Sequence, residues 1–337
     1  MPVLAATPEN VALAAECLKA GGIVAFPTES VYGLGAIVWD ARAVARVFEA
    51  KRRPSFDPLI VHVLGLDMLD EVAAELPPAA ALLAERFWPG PLTLVLPKRP
   101  AVPSLVTAGL ETVAVRVPSH PVARALIEAA GAPIAAPSAN PFGALSPTRA
   151  QHVARSLGDA ADIILDGGPT EHGIESTILG FTPRPTLLRP GAIPLEDINR
   201  VIPSSPSVIL SLSKDRVIPS PPSVILSLSK DERPTAPGQL PHHYAPRTPL
   251  RVADLAEVPP AQRTRAGALA LREAPAGYAA VRVLSPAGDL REAAARLFDA
   301  LHELDALGLE RIYAEPIEER GLGLAIADRL ARAQAAG

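Results

Sequence analysis

The sequence predicts an α/β protein with two units, because short apolar strands alternate with amphipathic helices along most of its 337 residues. Its length supports the second unit, since a single domain most often spans about 100–150 residues. Apolar residues make up 48% of the chain but aromatic residues only 4%, so aliphatic side chains must build the cores.

Capping and terminating residues predict the helix boundaries of the first unit. Thr7 can cap the first helix, Pro8 suits its first turn, and Gly21 ends it. Asp40 can cap a second helix, and a third is predicted from Pro121 until the following glycine. Between the helices we expect buried strands at 23–27, 59–63, 92–97 and 113–118.

The second unit is predicted to begin near residue 250. Strands are expected at 267–271, 279–285 and 311–316, and a final helix at 321–334. Asp289 and Glu292 form a capping-box pattern for a helix that Gly308 terminates. This unit lacks a G-x-G-x-x-G loop, and we find no catalytic constellation in it.

A near-identical repeat separates the two units. Residues 200–215 and 216–231 differ only at Ser205 versus Pro221. Two copies are too few for a solenoid, and their Pro and Ser content favours a flexible linker. The apolar stretch SVILSLS within each copy leaves an edge strand as the alternative.

Composition excludes several classes of protein. A net charge of −4 disfavours a dedicated nucleic-acid coat. The single Cys17 excludes a disulfide framework and a multi-cysteine metal site. No apolar run has membrane-spanning length and no signal pattern opens the chain, so we expect a cytoplasmic protein without a membrane partner.

Cations follow or interrupt apolar segments at two places. Lys51, Arg52 and Arg53 end a helix, where they either face solvent or bind an anion. Arg116 lies within the apolar strand VAVRVP, and a charge there requires a partner, either a structural carboxylate or a substrate carboxylate. Fixed cations at strand ends indicate an anionic, phosphate-bearing ligand.

Polar residues at other strand ends remain ambiguous from pattern alone. Ser138 and Asn140 could satisfy a turn, His62 could be an ordinary core histidine, and Ser176 could be structural. Their neighbour Glu175 could hold a metal or a cation. No nucleophile–base pair stands out, which favours chemistry by positioning and charge stabilisation.

Taken together, these segments resemble the YrdC/Sua5 family of threonylcarbamoyl-AMP synthases. The resemblance spans about residues 8–191, resumes at 237–246 and continues through the second unit. It is carried by an ordered set of short motifs: PTESVYGLGA, KRRP, PLIVH, WPGPLTLVL, VAVRVPSHP, APSAN, SPT, DGG, EST and LRPG. It implies a YrdC-like catalytic domain over 1–199, a linker with the HYAP lid motif over 200–248, and a Sua5-type domain over 249–337.

The resemblance also implies the fold and the reaction. The fold would be a twisted, open mixed sheet with a concave cleft, followed by a smaller Rossmann-like α/β domain. L-threonine, bicarbonate or CO2, and ATP, with Mg2+ expected, would give threonylcarbamoyl-AMP and pyrophosphate. The product would pass to a threonylcarbamoyl-transferase that acts on adenosine 37 of tRNA.

Residue roles carry over by matching motifs. Lys51 and Arg53 match the catalytic K-x-R motif. Positions matching ATP contacts are Arg53, Asp57, Thr112, Ser138, Asn140, Ser146, Arg189 and Tyr244. Positions matching threonine contacts are Ser30, His62, Arg116, Ala136 and Ser176. No metal ligand is assigned.

Two of these positions depart from the family pattern. Ser30 stands where Thr is common, and Asp57 where Asn is common. The serine keeps a hydroxyl at its position. A carboxylate at position 57 would repel phosphates unless Mg2+ or an arginine intervenes.

Two other functions compete with the synthase. One is a double-stranded RNA-binding module that uses the same cationic cleft, and weak RNA binding would be expected of it. The other is a carbamoyltransferase like the YrdC-like part of hydrogenase maturation factors. Those proteins carry an acylphosphatase unit and paired zinc motifs, and the single cysteine excludes such zinc motifs here.

Overall fold

A computed structural model describes residues 2–182, 184–202, 209–210, 234–240 and 243–335. Most of the described strands form one mixed sheet in the order β1-β8-β2-β3-β7-β4-β6-β5-β9-β10-β11. They are β1 (Val3–Ala5), β2 (Val24–Phe26), β3 (Gly33–Ile37), β4 (Ile60–His62), β5 (Leu92–Pro97), β6 (Thr112–Arg116), β7 (Ile134–Ala135), β8 (Ile163–Asp166), β9 (Thr177–Gly180), β10 (Thr186–Arg189) and β11 (Ile209–Leu210).

Helices cover the faces of this sheet. They are α1 (Pro8–Lys19), α2 (Ala41–Lys51), α3 (Leu66–Val72), α4 (Pro78–Phe87), α5 (Pro121–Ala130), α6 (Ala150–Leu157) and α7 (Leu195–Val201). The predicted caps are confirmed: Thr7 Oγ1 accepts from the Asn10 amide at 3.3 Å, and Asp40 Oδ1 accepts from two amides of the first turn of α2. Strands β1, β3 and β10 were not predicted, nor were helices α3, α4, α6 and α7.

A second, all-parallel sheet has the order β12-β15-β13-β14. Its elements are β12 (Leu250–Val252), α8 (Pro260–Arg263), β13 (Ala266–Ala270), β14 (Ala280–Val283), α9 (Leu290–Asp305), β15 (Arg311–Ala314) and α10 (Leu322–Ala335). The expected mixed α/β fold with a second α/β unit is therefore confirmed, although β12 was missed.

The predicted capping box of α9 is only half formed. Asp289 caps the helix by accepting from the Arg291 and Glu292 amides. Glu292 does not reach back to the Asp289 amide, because Ser285 stands between them: its hydroxyl accepts from that amide at 2.9 Å and donates to Glu292.

The duplicated segment 200–231 lies outside the described residues except at 200–202 and 209–210. The backbone of 209–210 forms β11, which pairs in parallel with β10 at the edge of the large sheet. No helix among the described residues meets the length and hydropathy needed to cross a bilayer.

Strand register brings the polar strand ends together. In the parallel pair of β4 and β6, His62 lies opposite Arg116. Strand β5 runs antiparallel to β6 and parallel to β9, so the residues just before β9 reach the same edge of the sheet. This edge is where the site forms.

The two units share a core and a polar seam. Val31, Leu145 and Ile174 of the first unit pack in one cluster with α9 and α10. Arg149, which precedes α6, pairs with Asp299 of α9 at 2.6 Å. Beside that pair, the rings of His152 and His302 stack with centroids 3.9 Å apart.

The buried histidine stack predicts a loss of stability in acid. Burial, then the neighbouring His302, lowers the pKa of His152 from 6.5 to about 3, although Asp299 opposes the shift. Stabilisation is therefore complete above pH 6.5 and is lost as the pH falls toward 3, because only the unfolded chain takes up the proton. Between pH 7 and pH 5 this residue should cost about 2 kcal/mol.

Urea unfolding at both pH values measures this cost. His152→Gln cannot titrate, so its free energy of unfolding should fall by about 2 kcal/mol less than that of the parent protein over this range. Parallel pH profiles for the two proteins would contradict the assignment.

Candidate functional site

A small cavity of about 40 Å³ lies at this edge of the large sheet. Eight of the residues predicted from the sequence line it: Arg53, His62, Arg116, Ala136, Ser138, Ser176, Arg189 and Tyr244. The remaining lining comes from the 28–33 turn, the 237–238 turn and single residues that include Glu175 and His243.

Five more predicted residues contact that lining. Asp57 pairs with Arg53, Ser30 with Arg116 and Ser146 with Glu175. The carbonyls of Ser138 and Asn140 accept from Lys51 Nζ. Thr112 is the exception, since it begins β6 and so lies about 13 Å along the strand from Arg116.

Lys51 is a buried cation and not a solvated helix end. It is the last residue of α2 and is 1% exposed. Arg52 caps the helix in the left-handed conformation at φ 51°, which turns the chain back and buries Arg53 as well. Burial, then the charge of Arg53, lowers the pKa of Lys51 well below its usual value.

Arg53 neutralises the unusual Asp57. The two side chains are both buried and lie 2.8 Å apart, and Arg53 also donates to the Asp57 and Pro58 carbonyls. The Asp57 carboxylate accepts no well-aligned hydrogen bond among the described residues. Burial raises the pKa of Asp57, while Arg53 and Lys51 act in the opposite direction. The pair is close but poorly aligned.

Arg189 is held by neutral oxygens. Its Nε and Nη2 donate to the Ser176 carbonyl at 3.2 and 2.9 Å, and Nη1 donates to the Pro237 carbonyl at 3.3 Å. Within the described part of the chain, neither Arg189 nor Lys51 has a carboxylate within ion-pair distance. Two buried cations therefore lack a paired anion beside the cavity, which is the arrangement expected of an anion-binding site.

Arg116 finds its partner inside the protein. Its Nη2 lies 2.6 Å from Glu29 Oε1 and donates to Ser30 Oγ at 2.7 Å. Burial opposes ionisation of Glu29, but the charge of Arg116, together with hydrogen bonds from Arg116 and from backbone amides, lowers the pKa of that carboxyl. Of the two alternatives left open by the sequence, the structural carboxylate is present, and the guanidinium still lines the cavity.

His62 is a neutral wall of the cavity. Burial, then the positive charge of Arg116, lowers its pKa to about 3. Its ring packs edge-on against Phe26, and its Nδ1 has no hydrogen-bond partner among the described residues. An unpartnered imidazole nitrogen that stays neutral can bind a ligand without adding charge.

The linker forms one side of the cavity. Tyr244 is 1% exposed and adopts a φ of 65°, and its ring contacts the ring of His243 at 4.2 Å. Gly238 is required beside it: its φ is +79°, and a Cβ there would lie 2.5 Å from the Tyr244 hydroxyl oxygen. The linker segment is thus built to fit tightly over Arg189.

Glu175 holds a cation supplied by the second unit. Its Oε2 pairs with Arg329 of α10 at 2.7 Å, and Oε1 accepts from the Ser146 hydroxyl. This resolves the sequence alternative of a metal or a cation. No group of three or more His, Cys, Asp or Glu side chains in the described ranges could hold a metal ion. The three carboxylates nearest the cavity are already paired with arginines.

Sequence reasoning assigned no role to three residues of this site. Glu29 lies in the quoted PTES motif, and the need of Arg116 for a partner was the signal that could have identified it. His243 lines the cavity and could have been identified because it directly precedes the predicted Tyr244. Arg329 carried none, because AIADRL reads as an ordinary amphipathic helix.

Comparisons with known proteins agree with this architecture. A family model for Sua5, YciO and YrdC, described as telomere recombination, matches residues 16–191. A second, described as the C-terminal domain of threonylcarbamoyl-AMP synthase, matches residues 193–336. The chain belongs to the YrdC/Sua5 family.

Curated relatives of this family match over almost their whole length. The threonylcarbamoyl-AMP synthase of Pyrococcus abyssi is 42% identical over 96% of this chain and 94% of its own. That of Bacillus subtilis is 42% identical over 98% and 94%. The crystal structure of P. abyssi Sua5 complexed with L-threonine superposes with a TM-score of 0.86 at 40% identity, covering 98% of this chain and 95% of that one.

The poorly aligned Asp57–Arg53 pair leads to a prediction about anion binding. Asp57→Asn leaves Arg53 buried without a counter-charge, so the free energy of unfolding should fall by roughly 3–5 kcal/mol. Added pyrophosphate should then raise the melting temperature more in the variant than in the parent protein, because the competing carboxylate is gone.

Differential scanning fluorimetry with and without pyrophosphate measures both effects. Asp299→Asn is the matched control, since it breaks an arginine pair away from the cavity and should leave the pyrophosphate-induced shift unchanged. Equal shifts in Asp57→Asn and the parent protein would show that Asp57 does not compete with anions.

Proposed function

We propose that the chain synthesises threonylcarbamoyl-AMP from L-threonine, bicarbonate or CO2, and ATP. The observation that carries this proposal is the pair of buried cations beside the cavity, Lys51 and Arg189, that only carbonyl oxygens hold. A phosphate chain supplies the anion that this arrangement lacks. Membership of the family and the relative that binds L-threonine support the same activity.

Threonine would bind at the Arg116 side of the cavity. The guanidinium, already oriented by Glu29 and Ser30, would receive the substrate carboxylate. The neutral His62 and the Ser176 hydroxyl, which contacts Thr93 at 2.8 Å, would contact the polar groups of the amino acid. Ala136 leaves room at the cavity wall because its side chain is small.

ATP would bind at the opposite side. Lys51, Arg53 and Arg189 would face its phosphates, with Ser138 and Asn140 supporting Lys51. Ser146 and Tyr244 would complete the nucleotide wall. We do not carry Thr112 and Asp57 into direct nucleotide contact, since Thr112 starts the far end of β6 and Asp57 is already opposed by Arg53.

The chemistry requires positioning more than an activated side chain. The amine of threonine adds to CO2 and loses a proton to give a carbamate. A carbamate oxygen then attacks the α-phosphorus of ATP, and the bond to the bridging oxygen breaks as pyrophosphate leaves. Charge builds on the leaving phosphates, where fixed cations stabilise it without reorganisation.

Nucleotide entry requires the linker to move. A cavity of about 40 Å³ cannot hold ATP, because sites for ligands of that size measure about 300–1,000 Å³. Mg2+ would enter with ATP on its phosphates, since the nearby carboxylates are all paired with arginines. We further propose that the product serves tRNA modification in the cytoplasm, through a separate transferase.

Pyrophosphate release tests the proposed reaction. It should require both threonine and bicarbonate, because the carbamate is the nucleophile, and threonylcarbamoyl-AMP should appear in the same amount by mass spectrometry. Equal pyrophosphate release after removal of either threonine or bicarbonate would contradict the proposed mechanism. Salt-sensitive binding of double-stranded RNA with no pyrophosphate release would favour the RNA-binding alternative instead.

The role of Arg116 can be separated from its structural pairing with Glu29. The double variant Glu29→Gln, Arg116→Met removes both charges together and leaves neither buried alone. Its threonine dissociation constant should rise by roughly 30-fold or more, a loss of about 2–5 kcal/mol, while ATP affinity stays within about threefold.

Isothermal titration with each ligand checks both halves of this prediction. Glu29→Gln alone is the control, because it keeps the guanidinium and should still bind threonine. Normal threonine affinity in a double variant that melts cooperatively would show that Arg116 is only structural.

A further inference from the structure

Arg329, on helix α10 of the second unit, is the largest fully buried side chain among the described residues. Every nitrogen of its guanidinium is used. Nε donates to Glu175 at 2.7 Å, Nη1 to Asp328 at 2.6 Å and Nη2 to the Pro190 carbonyl at 2.9 Å. Two of these contacts cross from the second unit to the first.

The residues that Arg329 contacts belong to the wall of the cavity. Glu175 and Tyr244 both line it, and the guanidinium carbon lies 4.8 Å from the centroid of the Tyr244 ring, a cation–π distance. Glu175 is followed in the chain by Ser176, whose carbonyl accepts from Arg189. One side chain of the second unit therefore supports the Tyr244 lid and the carbonyl that orients a buried cation.

The local charges balance without any ligand. Arg329 is paired with Glu175 and Asp328, and Asp328 is also paired with Arg332 at 3.0 Å. Arg332 in turn donates to the Leu240 carbonyl of the linker at 2.6 Å. Two arginines and two carboxylates form a closed neutral group, so Arg329 is not the cation that awaits a phosphate. Arg329 lies behind the residues that line the cavity and not among them.

A second inter-unit ion pair shows what simple attachment of the two units looks like. Arg149 and Asp299 lie 2.6 Å apart, but the Arg149 side chain is 45% exposed and neither residue lines the cavity. Attachment therefore does not require a buried arginine between Glu175 and Tyr244. The contrast between the two pairs separates attachment from positioning.

We propose that Arg329 is a positioning residue for nucleotide binding, by which the second unit completes the ATP side of the cleft. It holds the Glu175 carboxylate and the Tyr244 ring in place at once, so the lid closes correctly only when α10 is docked. The proposal rests on the proposed function, because it takes ATP as the ligand of that side.

The test compares Arg329→Lys with Arg149→Gln. Lysine keeps the buried charge but cannot bind Glu175 and the Pro190 carbonyl in one planar fork, so we expect the ATP dissociation constant and the KM for ATP to rise roughly tenfold or more. The threonine dissociation constant should stay within about threefold. Arg149→Gln should leave all of these values unchanged.

A second variant addresses folding. Glu175→Gln, Arg329→Gln removes the inter-unit pair as a unit, and it should melt cooperatively yet show the same weakened ATP binding. In a double-mutant cycle, adding Tyr244→Leu to Arg329→Lys should cost less than the sum of the two single changes, because both act on the same lid.

The outcomes distinguish this inference from the proposed function. If the parent protein does not bind ATP by isothermal titration, the proposed function fails. If the parent binds ATP and Arg329→Lys binds it equally well, Arg329 is not a positioning residue. The same conclusion holds if Arg149→Gln weakens ATP binding as much as Arg329→Lys, or if neither Arg329 variant melts cooperatively, because Arg329 would then act only on attachment or folding.

Discussion

Buried positive charge at one edge of the sheet is the constraint that the rest of this structure satisfies. Lys51 and Arg189 are both out of water, and each is surrounded by carbonyl oxygens. Carbonyl oxygens in helices and sheets already accept backbone hydrogen bonds, so those that bind a cation come from segments outside regular secondary structure. The irregular segments at 137–141 and 173–176 therefore supply the site, and the strands behind them supply rigidity.

The second unit follows from the same constraint. Glu175 is the carboxylate whose charge acts on Arg189, yet its ion pair is with Arg329. If Glu175 turned to Arg189 instead, the cavity would lose part of its attraction for anions. By engaging Glu175 from behind, α10 keeps Arg189 available, which gives the second unit an electrostatic purpose in addition to packing.

The sequence predicts helices and strands better than it predicts which side chains form ion pairs with each other. Alternation and caps located five of the ten described helices and long strands such as β5 and β6, because a period of hydrophobicity is visible over five or more residues. The three-residue β1 and β12 carry too little pattern. Arg116 could be predicted to be a buried cation because a charge in an apolar strand is unusual, whereas the pattern left Lys51 and Arg53 equally consistent with a solvated helix end. The ion-pair partners could not be predicted, since Arg116 meets a residue 87 positions away and Glu175 one 154 positions away.

The linker contact with Arg189 explains why a cleft this small can still admit a nucleotide under the proposed activity. The Pro237 carbonyl occupies one nitrogen of Arg189 at 3.3 Å, a long hydrogen bond to an uncharged acceptor. A phosphate oxygen in its place would carry a charge of its own, so the bond to the guanidinium would become an ion pair as well as a hydrogen bond. Under the proposed activity, ATP would therefore gain by displacing the 237–238 turn from Arg189.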